Sequence, residues 1–272
     1  MAAPTPLTYL PVDARGWRLA MGLRPLAPEC WLEVDENRDA ELALKAGLLE
    51  SSRETVLALT GEGEGACREL LGEVTAWLDA YRPEVTTSVD ESEHPLIAAS
   101  RLVQEDLCVL QRDGDWRLVA ACVCFPSRWS LAEKIGTSLD AIHAPVPGYH
   151  ASLAAPTTAV FDRIEPERSF WRLNWTLLDR PDLHQPAAVR APGESAPEDW
   201  FFRVERQTIR RLARSRAVVF TIRSYVTALS SLLDDQEFTE NLLHSLRTAP
   251  AATREYKGWG DVAERLAARI GR

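Results

Sequence analysis

The chain has 272 residues, 46% of them hydrophobic and 26% charged, so it can bury a sizeable core as one large domain. Its formal charge of −9 and pI of about 5.2 argue against nucleic acid or an anionic membrane as the main partner. No apolar run approaches a bilayer span, and MAAPTPLTYLPVD has neither a basic n-region nor an apolar h-region, so a cytoplasmic protein is expected.

In chain order, the first thirty residues are Pro-rich and read as an extended arm packed through Trp17, Met21 and Leu23. Asp35 is placed to cap a helix running to about Glu50. A second helix, Ala66 to Tyr81, has Leu70, Leu71, Val74, Trp77, Leu78 and Tyr81 on its apolar side, and its Glu69 and Glu73 read as a solvated face. The intervening Gly61, Gly63 and Gly65 lack the context of a phosphate loop, and Glu62 and Glu64 would repel phosphate. From Gln104, DLCVLQRDGDWRLVAACVCF predicts two apolar strands around an Asp113-Gly114 turn.

After a turn at Phe125-Pro126-Ser127, Leu131, Ile135, Leu139 and Ile142 recur at helical spacing and predict one buried stripe. A further helix is expected over His150 to Ile164, then strands at Ser169 to Leu178, Trp200 to Arg206 and Arg216 to Val226. The Pro-rich stretch Asp179 to Pro197 is a long connection, and Asp235 to Leu246 and Val262 to Ile270 are closing helices. The plan is α+β: a five-stranded antiparallel sheet with a helical bay. It divides a single domain into an arm and helices (1–90), a core (91–230) and C-terminal helices (231–272).

His143 follows Leu139 by four residues, which sets its imidazole beside the apolar stripe, and Pro145 and Pro147 stiffen the backbone after it. That suits an axial ligand to a flat apolar cofactor such as haem; a histidine hydrogen-bonded to a carbonyl fits the same spacing. The five cysteines have no C-x-x-C or zinc-site spacing and read as buried free thiols, with Cys122 and Cys124 on one face of their strand.

Alternation places Arg223 with Thr221 and Tyr225, Glu205 with Phe201 and Arg203, and Trp171, Leu173 and Trp175 opposite Arg172, Asn174 and Thr176. Arg223 and Glu205 fit either a cross-strand ion pair or a ligand donor and a counter-ion to a bound cation. The basic run Arg203 to Arg216 fits a solvated turn or a cradle for cofactor carboxylates. Trp171 and Trp175 fit the core as well as a cofactor box. Hydrolase, zincin and dinucleotide motifs are missing from the sequence.

Several blocks, HPLIAASRLVQEDLCVLQ, CFPSRWSLAEKIGTSLDAIHAPVPGY, WRLNWTLLDRPDLHQP, FFRVERQTIRRL and AVVFTIRSYV, together resemble the haem-dependent oxidative N-demethylase alpha-subunit family over roughly Trp31 to Tyr256. The resemblance implies a Per-ARNT-Sim (PAS)-like haem-binding fold and oxygen-dependent N-demethylation of dimethylamine. Electrons would come from NADPH through partners carrying flavin mononucleotide and an iron–sulfur cluster, with tetrahydrofolate taking up formaldehyde. It implies His143, in I-H-A-P-V-P-G-Y, as the proximal ligand of a haem b iron, and Arg223, in F-T-I-R, as a distal donor to bound oxygen. Glu205, in E-R-Q-T, would meet the substrate ammonium, and Asn174, Trp175 and Tyr225 would neighbour the haem. This chain has no cysteine spacing for a cluster, so the reductase would be a separate protein. A PAS-type haem gas sensor and a haem monooxygenase of a larger biosynthetic amine are the alternatives.

Overall fold

The computed structural model describes residues 9–187 and 195–271. Among them, seven strands form one antiparallel sheet: β1 (Arg24–Leu26), β2 (Leu57–Leu59), β3 (Asp106–Asp113), β4 (Asp115–Cys122), β5 (Ser169–Leu178), β6 (Phe201–Arg211) and β7 (Val218–Ala228). Their spatial order is β1-β5-β6-β7-β3-β4-β2. The α+β class stands, but the sheet has seven strands and not five. The two unexpected strands are three residues long and pair with strands remote in sequence, β1 with β5 and β2 with β4. Nothing local marks them.

The middle strands β6, β7 and β3 are buried on both sides, because each face of the sheet is covered. One face, here the arm face, carries Leu107, Val109, Ala120, Cys122 and Val219. These pack beneath helices α1 (Arg38–Ser51), α2 (Arg53–Val56), α3 (Glu64–Tyr81) and α4 (Pro95–Leu102). Further along the same face, Leu177, Phe202 and Val204 meet the C-terminal helices, where Phe238, Leu242, Trp259 and Leu266 are buried. The opposite face, the bay face, carries Cys108, Leu110, Ala121, Ile209 and Val218 beneath the segment from Leu131 to Ile164.

That segment departs from the expected helix. It is a single 3-10 turn at Leu131–Glu133 followed by α5 (Leu139–His143), with Gly136 at φ 72° between them. The reason lies in the edge of β4. Strand β2 pairs only with Ala120, Ala121 and Cys122, so Leu118 is left without a strand partner on that side. Leu118 N–H donates to Thr137 O, and Gly136 N–H donates to Leu118 O. Glycine supplies the left-handed backbone this reversal needs, and Ser138 Oγ then accepts from Ala141 N–H to start α5. The apolar stripe is nonetheless buried: Leu131 and Leu139 lie in the core and Ile135 and Ile142 pack against it.

The helix expected over His150 to Ile164 is split at Leu153 into α6 (Tyr149–Ser152) and α7 (Ala154–Arg163). Three helices, α8 (Gln236–Thr248), α9 (Ala251–Lys257) and α10 (Val262–Arg269), close the chain. Asp35 does not cap α1. Its Oδ1 accepts from Asn37 N–H at 2.9 Å, and its Oδ2 pairs with Arg223. The Pro-rich connection lies partly outside the described residues; Pro197–Asp199 forms a 3-10 turn.

Candidate functional site

His143 ends α5 on the bay face. Its Nδ1 is 2.8 Å from Leu139 O, so Nδ1 carries the proton and donates it to that carbonyl. Nε2 is left with its lone pair and makes no hydrogen bond to a described residue. The ring is half-buried and stacks on Tyr149, centroids 4.4 Å apart with a 12° interplanar angle. Burial, only partly offset by the bond to Leu139 O, holds the imidazole below its ordinary pKa, so the neutral form prevails at pH 7. A neutral imidazole with Nδ1–H fixed on a carbonyl is the form in which histidine ligates a metal through Nε2.

The registers decide what shares this face. Asn174 pairs with Glu205 and Glu205 with Ser224, while Arg172 pairs with Gln207 and Gln207 with Ile222. Directly opposed residues project to the same side, so Arg172, Asn174, Glu205 and Gln207 join His143 on the bay face. The Glu205 carboxylate accepts from Asn174 Nδ2 at 3.2 Å and Gln207 Nε2 at 2.9 Å, with Arg203 Nε 3.7 Å away. Helix α9 crosses the open edge of β5, where Lys257 Nζ donates to Trp175 O at 3.0 Å. Burial lowers this ammonium to about 8, against the attraction of Glu205.

Arg223, Trp175 and Tyr225 are elsewhere. Arg223 pairs with Arg206, one position out of step with Glu205, and therefore projects to the arm face. The sheet separates it from His143. It is fully buried and ion-paired to Asp35 at 2.5 Å and Glu41 at 2.7 Å, and its Nη1 donates to Ser224 O at 2.9 Å. Its guanidinium lies over the Tyr225 ring, 4.6 Å from the centroid, and Tyr225 OH donates to Glu33. Trp175 stacks on Trp259 at 4.9 Å and on Phe202 at 5.5 Å, also on the arm face. Two expectations are thereby corrected: Arg223 and Glu205 form no cross-strand pair, and Arg223 does not face His143 across a shared cavity.

The basic run is a solvated turn only at its end, where Arg214 and Arg216 are exposed, and its other arginines form no open cradle, because protein groups already engage them. Arg203 donates to Leu183 O, Phe125 O and Ser224 Oγ. Arg206 donates to Cys30 O and Trp31 O, Arg210 pairs with Glu73, Arg211 reaches Phe161 O, and Arg216 pairs with Glu165. Glu69 is also not solvated; it is buried and accepts from Arg214 N–H and Ser215 N–H at 2.7 Å each, closing the β6–β7 turn. Of the thiols, Cys67, Cys108, Cys122 and Cys124 are buried and free as expected, whereas Cys30 is exposed. Cys122 and Cys124 do share a side, both packing in the arm-face core.

Sequence reasoning missed Arg172 and Lys257 at this site. The alternation of β5 set Arg172 beside Asn174, which was the available signal; Lys257 reaches the sheet edge only through the tertiary path of α9. Among the described residues no helix is long and apolar enough to cross a membrane. The family model for the haem-dependent oxidative N-demethylase, alpha subunit-like, matches residues 22–267, nearly the whole of the chain, and the chain belongs to that family.

Proposed function

We propose that this chain is a haem-dependent oxidoreductase that removes a methyl group from a small secondary amine, with dimethylamine as substrate and dioxygen as oxidant. Electrons would arrive from a separate reductase that carries flavin mononucleotide and an iron–sulfur cluster and draws on NADPH. The observation that carries this reading is the state of His143: Nδ1–H is committed to Leu139 O and Nε2 has no hydrogen-bond partner among the described residues, on the face that also gathers Asn174 and Glu205. Among the described residues no group of three or more His, Cys, Asp and Glu gathers as a metal site. A haem brings its own porphyrin ligands to the iron, so a single histidine such as His143 would be enough to hold it. The antiparallel sheet with short helical segments over one face supports a PAS-like description.

Haem, when bound, supplies the oxidative chemistry. The protein's own groups hold and orient. His143 would hold the haem iron through Nε2, its ring oriented by the Leu139 carbonyl and by stacking on Tyr149. Glu205 would receive the substrate ammonium, its carboxylate already oriented by the amides of Asn174 and Gln207 so that little rotational freedom is lost on binding. Arg223, Tyr225 and Trp175 take no part in this reading, because they lie beyond the sheet.

The test is spectroscopic first. The purified protein should show a Soret band, and His143→Ala should lose it or bind haem far more weakly. Dimethylamine should perturb the ferric spectrum, and with reductant and dioxygen should release formaldehyde. A protein that purifies colourless and takes up no haem on reconstitution overturns the reading.

A further inference from the structure

Arg172 stands apart from its neighbours. Arg203, Arg206, Arg210 and Arg211 on the adjoining strand each donate to a carbonyl, hydroxyl or carboxylate of the protein. Arg172 makes no hydrogen bond and no ion pair to a described residue. Its Nε is shielded from solvent with nothing to donate to, as are those of Arg203, Arg210 and Arg211, but their Nη groups are engaged by described residues and its own are not. The side chain is partly buried, and an N–H held away from water without an acceptor is costly. Glu205 attracts it, yet Glu205 Oε2 accepts from both Asn174 and Gln207 and Oε1 faces Arg203 Nε at 3.7 Å, so Glu205 acts on Arg172 through the field and not through contact. The stacked His143–Tyr149 pair lies within reach of the same cation's field.

We propose that Arg172 is a carboxylate anchor of the bay, waiting for a ligand oxygen pair that the described residues do not provide. The inference rests on the reading of His143 as a haem ligand. A planar fork of N–H donors binds a carboxylate bidentately, which sets orientation as well as affinity. Two bound molecules can bring that group: the porphyrin, through a propionate at its edge, or the amine, if the substrate is an N-methyl amino acid whose ammonium meets Glu205. In the second case the pair Arg172 and Glu205 reads both ends of a zwitterion.

The experiment compares wild type with Arg172→Gln. Apo-proteins are titrated with iron protoporphyrin IX and with its dimethyl ester, following the Soret band. The ferric proteins are then titrated with dimethylamine and N-methylglycine, following the spectral shift. A porphyrin carboxylate at Arg172 makes wild type prefer the free acid over the ester by about tenfold or more, a preference the variant loses. A substrate carboxylate leaves both porphyrins unaffected but makes wild type prefer N-methylglycine, and the variant weakens that ligand by about tenfold or more.

Equal behaviour of the two proteins in both titrations overturns the proposal. The apo variant should melt at or above wild type, since a partly buried charge with no ion-pair partner among the described residues has gone; a melt several degrees lower would mark Arg172 as structural and also overturn it. Failure of wild type to bind any porphyrin refutes the haem reading instead. Calorimetric titration of the same two proteins with N-methylglycine then decides for Arg172, with binding by wild type alone sustaining it and equal heats overturning it.

Discussion

Replacing Arg223 with methionine separates a structural arginine from a catalytic one. Its guanidinium is fully buried and clamps Asp35 and Glu41, which belong to the entry of α1 and to α1 itself. Glu105, also fully buried, lies in the same field. Arg223→Met keeps much of the apolar stem and removes the one cation that, among the described residues, Asp35 and Glu41 share at contact distance. Breaking a buried pair from one side costs about 3–5 kcal/mol, because the abandoned charges stay desolvated. At about 2–4 °C per kcal/mol for a protein of this size, the melting temperature falls by roughly 6–20 °C.

The pH dependence has a sign. In wild type, burial opposes ionisation of Asp35, but Arg223 and Gln104 outweigh it and hold the pKa below the usual value. Asp35 therefore contributes stability that is present above the unfolded pKa and lost as pH falls. Without Arg223 the acids protonate more readily in the folded state, so the deficit of the variant narrows toward acidic pH. Thermal melts at pH 7 and pH 4.5, with the Soret band of the folded variant recorded alongside, make the assay. The reasoning fails if the variant loses less than about 1 kcal/mol, the level of an exposed pair, or if the folded variant has an altered haem spectrum, which would mean that Arg223 reaches the iron.

Glu69→Gln should destabilise by about 1.5–3 kcal/mol at pH 7, since two backbone donors lose a charged acceptor. Burial alone would raise the Glu69 pKa, but the N–H groups of Arg214 and Ser215 hold it below the usual value, so the loss should vanish as pH falls through the folded pKa; urea melts at pH 7 and pH 3 check both points. Glu105 behaves oppositely. Burial raises it to about 7, so its proton stabilises the folded state at low pH, and that contribution is lost as pH rises through about 7. Glu105→Gln keeps an acceptor for Glu33 N–H and should gain on wild type by up to about 3 kcal/mol between pH 5 and pH 8 in denaturant titrations; parallel pH profiles would contradict this.

Much of the sheet is legible in the letters, because alternation is local. The sets Arg172/Asn174 and Trp171/Leu173/Trp175 do fall on opposite faces, and the Asp113-Gly114 turn does join β3 to β4. What alternation does not contain is register. Glu205 faces Ser224, not Arg223, and that offset of one residue puts the two side chains on opposite sides of the sheet. The same limit applies to Glu69: a helix face reads as solvated until the β6–β7 turn is known to sit on it. In the stretch before His143, the apolar period was right and the helix was not, since an unpaired stretch of β4 competed for the same backbone groups. His143 itself was legible as a residue, but its tautomer depends on the Leu139 carbonyl at the end of a helix only five residues long.

The way the opening segment is threaded governs how the molecule can be made. Strand β1 closes one margin of the sheet and β2 the other, and the chain between them is tied down by bonds such as Arg206 to Trp31 O and Arg223 to Asp35, 175 and 188 residues apart. During synthesis the first sixty residues emerge long before β6 and β7 exist to receive them. Assembly is therefore weighted toward late, non-local docking, a slow topology that leaves early-made apolar segments uncovered while translation runs on.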